Sequence, residues 1–184
     1  MVMNFEAVVQ HPIVQICYLV DDIDSAVARW TRVMGAGPFF VMRHVPLREV
    51  AFRGEPTQYD HSAALGQWGD MQVELHQQHC DHPSPAKEMF ATGETGLLQI
   101  SWLTDDLAGE TERLESLGFP AIWTCLAGED LRTIWFDARS MLGTMIEIYK
   151  GDPAMSEAFK RASIGWDGSD PLREIGAIAQ YMQP

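Results

Sequence analysis

The chain has 184 residues, 46% hydrophobic and 10% aromatic, enough apolar material for one large domain or two small modules around a shared core. Lys and Arg number 13 against 26 Asp and Glu, and the net charge of −13 repels phosphate and anionic lipid, which argues against nucleic-acid or membrane-surface binding. Three scattered cysteines, no apolar run near the ~20 residues of a bilayer span and no signal-like start predict a cytoplasmic protein with free thiols.

In chain order, Val14–Val20 is a short β-branched and aromatic run suited to a strand. Asp22–Met34 follows as an amphipathic helix, with Ile23, Ala26, Val27, Trp30 and Val33 at i, i+3, i+4, i+7 spacing. The Asp21-Asp22 pair stands at its N-cap and Gly35 at its left-handed stop. Strand-like segments come next at Pro38–His44, raggedly through about Leu65, and at Met71–His76. His79–Pro85, with two prolines, reads as the start of a linker. The pattern then restarts with a strand at Leu98–Thr104, a sparser helix over Leu107–Leu117 and Gly118 at its stop. Strands at Ala121–Cys125, Arg132–Asp137 and Thr144–Tyr149 complete the second half. In the tail, Ala154–Ile164 and Leu172–Tyr181 each suit a short helix, joined by Gly165–Pro171, and together read as a packing appendage.

The two halves repeat one another. Val14-Gln-Ile-Cys-Tyr-Leu-Val-Asp-Asp-Ile23 aligns with Leu98-Gln-Ile-Ser-Trp-Leu-Thr-Asp-Asp-Leu107 at a constant offset of 84. Gln72–His76 aligns with Met145–Tyr149 at an offset of 73. Two blocks in the same order indicate duplication of a β-α-β-β-β unit. The expected fold is α+β: two paired βαβββ modules, 1–78 and 97–150, forming a U-shaped mixed sheet around a central cavity. Residues 79–96 link them and 151–184 form a C-terminal helical extension.

Strand alternation sets which side chains share a face. Gln15, Cys17 and Leu19 lie together, as do Gln99, Ser101 and Leu103; Leu98, Ile100 and Trp102 face the other way, towards a helix. Gln72, Glu74 and His76 share a face, and so do Met145, Glu147 and Tyr149. Each half thus offers one amide and one carboxylate at equivalent positions among apolar neighbours. Pseudo-two-fold pairing brings Gln15, Glu74, Gln99 and Glu147 into one cavity; the alternative is that both glutamates edge the sheet and reach water.

At these residues the chain resembles the vicinal oxygen chelate superfamily, which includes glyoxalase I, methylmalonyl-CoA epimerase, extradiol dioxygenases and bleomycin and fosfomycin resistance proteins. The resemblance covers about residues 11–150 and rests on the paired Gln-Ile-x-x-Leu-x-Asp-Asp blocks, Gly35-Ala-Gly-Pro-Phe39, Val73-Glu-Leu75 and Met145-Ile-Glu-Ile148. It implies a divalent metal held by Gln15, Glu74, Gln99 and Glu147. The ligand pattern is closest to glyoxalase I, departing from it at Gln99, where histidine is usual. Such an all-oxygen set favours Mg, Mn, Ni or Co over Zn, or holds no metal at all.

The implied chemistry is that of a glyoxalase-like lyase or isomerase. A proton moves next to a carbonyl through a chelated enediolate or enolate, with Glu147 as first choice of base and Glu74 as second. His76, Tyr149, Met145 and Trp102 are the candidate substrate contacts. The alternatives on the same scaffold are a metal-free small-molecule binding protein, and an oxygenase or metal-free acid/base enzyme. The expected partner is a small-molecule substrate, with no nucleic acid and no membrane, and module pairing within or between chains admits a homodimer. His76–His82 reads as a polar loop beside the cavity mouth in preference to a zinc site.

Overall fold

The computed structural model of the protein describes residues 7–182. Strand β1 (Gln15–Leu19), helix α1 (Ile23–Met34), β2 (Phe39–Met42), a hairpin of β3 (Leu47–Phe52) and β4 (Glu55–Pro56), β5 (His61–Trp68) and β6 (Met71–Gln78) build the first half. A short helix α2 (Pro85–Met89) follows. Then β7 (Gly96–Leu103), α3 (Leu107–Ser116), β8 (Ala121–Ala127), β9 (Leu131–Asp137), α4 (Arg139–Leu142) and β10 (Met145–Tyr149) build the second. The tail is α5 (Pro153–Ser163), β11 (Leu172–Glu174) and a 3₁₀ helix, Ile175–Tyr181. Among the described residues no helix is long and apolar enough to cross a membrane.

The strands form one open mixed sheet in the order β11-β2-β5-β6-β1-β7-β10-β9-β8-β3-β4. Its centre is symmetric. β1 and β7 pair antiparallel, and each has the last strand of its own half parallel on its other side, β6 beside β1 and β10 beside β7. The four strands β1-β6-β5-β2 are therefore repeated as β7-β10-β9-β8, the duplication that the sequence blocks announce.

The repeated Asp-Asp pairs do what their position suggests. The second aspartate of each caps a helix: Asp22 accepts from the Ser25 backbone N–H at 2.8 Å and Asp106 from that of Gly109 at 2.9 Å. Gly35, at φ +66°, ends α1 in the left-handed conformation, which costs glycine little. Helix α1 buries Ile23, Ala26 and Val27 against β5 and β6, where Phe39, Val73 and Leu75 complete a core. The equivalent core under α3 contains Trp102, Leu114, Phe136, Ile146 and Ile148. Val33 departs from the helical stripe: it is 70% exposed.

Four features depart from the sequence reading. The ragged stretch after β2 contains the β3–β4 hairpin, which leaves the first half and pairs with β8 of the second. Leu98 does not face α3. A bulge between β1 and β7 opposite Cys17 turns it to the other side, where it packs with Cys17, Trp123 and Trp135. The segment 79–96 holds α2, whose Ala86 joins that same cluster. In the tail, Leu172–Tyr181 is not a helix of its own; it starts as β11, parallel to β2, and continues as 3₁₀.

Candidate active site

The concave side of the sheet encloses a cavity of about 540 Å³, lined from both halves and from the tail. β1 and β6 supply Gln15, Gln72, Glu74 and His76; β10 supplies Glu147 and Tyr149; β8 and β9 supply Trp123, Cys125, Thr133 and Trp135. Strand registry makes this possible. Gln15 stands opposite Gln72 on one side and Ser101 on the other, and Glu147 stands opposite Ser101, so polar side chains run in a row across four strands.

Glu147 is 6% exposed and held by three donors. One carboxylate oxygen accepts from Gln99 Nε2 and from Ser101 Oγ at 2.9 Å, the other from Trp135 Nε1 at 2.8 Å. Burial raises its pKa to about 8, and the Glu74 charge across the cavity adds to the rise. Glu74, with its side chain 13% exposed, is raised to about 7 by burial, a shift the Cys17 thiol reduces by bonding it. The two carboxyls titrate as a pair.

A second chain of contacts leads away from Glu74. Its Oε1 lies 3.3 Å from His76 Nδ1, and His76 Nε2 lies 2.8 Å from the Tyr59 hydroxyl. Burial holds the His76 pKa down to about 3, so the ring is neutral and carries one proton. With that proton on Nδ1 it donates to Glu74, and Nε2 accepts from Tyr59 O–H. His61 stacks on His76, ring centroids 4.4 Å apart, and burial drives its pKa well below the usual histidine range. His61 lines the cavity, and among the described residues its buried Nδ1 has no hydrogen-bond partner.

The expected site residues divide. Gln15, Glu74, His76, Glu147 and Tyr149 line the cavity. Gln99 is fully buried and reaches the site through Glu147, to which it presents its amide N–H; among the described residues its Oε1 has no hydrogen-bond partner. Trp102 is on the helix side, donating to Glu110 at 2.9 Å, and is no substrate contact in this arrangement. Met145 shares the face of Glu147 yet is wholly buried and lies outside the cavity lining, beside Gln99 in the register. The tail is more than an appendage: Met155, Ser156 and Phe159 of α5 form one wall.

Sequence reasoning assigned no site role to Tyr59 or His61, which come from the ragged stretch, where no alternation was legible. It placed Cys17 on the face of Gln15 but treated it as a packed thiol.

Of the four expected ligands, Gln15, Glu74 and Glu147 line one cavity, and Gln99 is bonded to Glu147 behind it. Glu147 already accepts three hydrogen bonds, and Gln15 Nε2 donates to Gln72 Oε1 at 2.6 Å. Instead, Cys17 Sγ, a Glu74 oxygen and a His76 nitrogen all lie within 4.8 Å of one another. This sulfur, oxygen and nitrogen set fits a metal ion, and its chemistry is softer than an all-oxygen set.

The comparisons agree with the topology. Residues 14–136 match the model of the Glyoxalase/Bleomycin resistance protein/Dioxygenase superfamily. The chain belongs to that superfamily. Among solved structures it resembles methylmalonyl-CoA epimerase from Mycobacterium tuberculosis, with TM-score 0.53 and 18% identity over 84% of this chain and 97% of that one. A hypothetical protein from Bacillus halodurans C-125 aligns with TM-score 0.54 and 13% identity, over 78% of this chain and 96% of that one. A methylmalonyl-CoA epimerase in complex with methylmalonyl-CoA and NH4+ aligns with TM-score 0.52 and 14% identity, over 78% and 96%. At these identities the likeness is one of fold. No curated sequence matches the chain.

Proposed function

We propose that this protein moves a proton on a carbon next to a carbonyl, on a small oxygenated compound held in the concave cavity. The observation that carries this reading is the burial of two carboxyls, Glu147 and Glu74, in one cavity, each with its pKa raised towards neutrality. A carboxyl that titrates near the working pH can both take and return a proton, which an ordinary surface glutamate does poorly.

Glu147 is the better base. Gln99, Ser101 and Trp135 fix the orientation of its carboxylate, and the same donors stabilise the charged form when the proton leaves. Tyr59 lines the same cavity, and by donating its O–H to His76 Nε2 it braces the His76–Glu74 pair. A divalent ion held by Cys17, Glu74 and His76 would supply Lewis-acid polarisation of that oxygen. Their sulfur and nitrogen donors favour zinc or cobalt over magnesium. A metal-free acid/base reaction is the second reading, favoured by the three neutral donors that already occupy Glu147.

The test uses benzoin, a ketone with an adjacent hydroxyl, and methylmalonyl-CoA, in D₂O. The wild type exchanges the hydrogen next to the carbonyl of at least one of them, followed by NMR. Glu147→Gln lowers that rate by about 10²–10⁴-fold with affinity little changed. A wild type, with or without added zinc or cobalt, that exchanges neither above the buffer rate overturns the proposal.

A further inference from the structure

The proposed reaction leaves the kind of substrate open, and the cavity's charge and lining bear on that choice. A phosphorylated or CoA-linked compound needs cations or free backbone N–H groups at the mouth. Here the charged side chains at the cavity, apart from Glu74 and Glu147, are Glu129, Asp130, Asp152 and Lys150. Lys150 is itself 3.3 Å from the Asp105 carboxylate. Arg48 pairs with Asp130 and bonds the Glu129 carbonyl, and it does not line the cavity. No arginine does. The N-terminus of α5 reaches the lining at Asp152 and Ser156, but the Asp152 carboxylate already occupies it, accepting from Ala154 N–H at 2.8 Å. An anionic ligand would meet carboxylates where it needs donors.

The remaining surface is apolar and aromatic. Trp123 and Trp135 lie 6.1 Å apart, Tyr59 packs edge-on to Trp123 at 4.8 Å, and Leu65 and Phe159 line the cavity too. Such faces favour rings and hydrocarbon. His61 adds the independent pointer to a ligand: it is nine-tenths buried and lines the cavity, and with Nδ1 shielded and unpartnered among the described residues, Nε2 is the nitrogen a cavity ligand meets. An imidazole nitrogen left without a partner suits a hydroxyl or carbonyl oxygen of a ligand.

We infer that the cavity takes an uncharged, largely aromatic carbonyl compound without phosphate, its rings against Trp123 and Trp135 and one oxygen bonded by His61. This inference rests on the same cavity as the proposed reaction but concerns binding, so the two fail separately.

The test is calorimetric titration of the whole chain with three probes: benzoin, diphenylethylamine as its cationic counterpart, and methylmalonyl-CoA. Benzoin binds at least tenfold more tightly than either of the others, with an affinity that changes little with added salt. His61→Phe, which keeps the stacking on His76, weakens benzoin about tenfold and leaves the protein folded by circular dichroism. Glu129→Lys strengthens methylmalonyl-CoA and leaves benzoin unchanged. Methylmalonyl-CoA binding as tightly as benzoin overturns the inference, as does the amine binding more tightly than the ketone. So does the absence of benzoin binding, or benzoin binding untouched by His61→Phe. Hydrogen exchange on methylmalonyl-CoA without benzoin binding sinks this inference alone and leaves the proposed reaction standing.

Discussion

At the scale of single residues, the site is governed by the cost of burying charge. Glu147 and Glu74 are raised to about 8 and about 7, so the folded chain holds protons that the unfolded chain, at ordinary carboxylate values, has lost. Their contribution to stability is full below about pH 4.5 and is lost as pH rises through the folded values. His76 and His61 act with the opposite sign: their neutral folded forms cost stability as pH falls below the ordinary histidine value of about 6.5. Between pH 6.5 and 8 the carboxyls dominate, and the unfolded histidines, half protonated at the lower end, offset part of their effect. The unfolding free energy of metal-free protein therefore falls by about 2 kcal/mol over that window in urea titrations. In Glu147→Gln most of this slope is gone, since an amide binds no proton over this range. The same residues make a prediction about metal. Cobalt added to the apoprotein gives a near-ultraviolet thiolate charge-transfer band through Cys17, and Cys17→Ser abolishes the band while benzoin binding survives. Cobalt binding without that band refutes the ligand set.

Elements decide how open the cavity is. Helix α5 places Phe159 edge-on to Phe40, 5.5 Å between centroids, in a cluster with Ala158, Ala162 and Ile178 that pins the tail to β2. Phe159 also lines the cavity, so one side chain serves both packing and site. Phe159→Ala is expected to destabilise by about 3 kcal/mol in urea titrations and to weaken benzoin several-fold. A stability loss with unchanged affinity would make the tail a cover only. On the opposite side the β3–β4 hairpin is fastened by ion pairs: Arg53 bonds Glu88 of α2 and Asp137 of β9, and Arg139 bonds the same two carboxylates. Arg139 and Asp137 are under a third exposed, and the four charges form one network linking the β3–β4 hairpin, α2, β9 and α4. Alternation of apolar and polar residues located the strands that carry the site. It could not locate the hairpin, because β3 pairs with β8, a strand of the other half far along the chain, and carries exposed Arg48 and Glu49 amid apolar neighbours.

For the whole molecule the consequence of duplication is a site completed within one chain. The antiparallel β1–β7 seam sets Glu74 from one half and Glu147 from the other on the same cavity, and the tail of the same chain closes the wall. Benzoin affinity is accordingly expected to stay constant over a hundredfold range of protein concentration, measured by tryptophan fluorescence. Affinity that rises with concentration would mean that a second copy contributes. The sequence by itself determined the duplication, the helix caps at Asp22 and Asp106, and the faces of Gln15, Glu74, Ser101 and Glu147. All are local or periodic properties, carried by spacing along the chain. Only the tertiary structure decided which lone pairs are occupied. It gave Glu147 three donors, drew Cys17 and His76 to Glu74, turned Leu98 through a bulge, removed Trp102 and Met145 from the cavity and brought Tyr59, His61 and α5 to it. Those outcomes depend on how strands distant in sequence align and pack, and no repeat or period along the chain encodes that alignment.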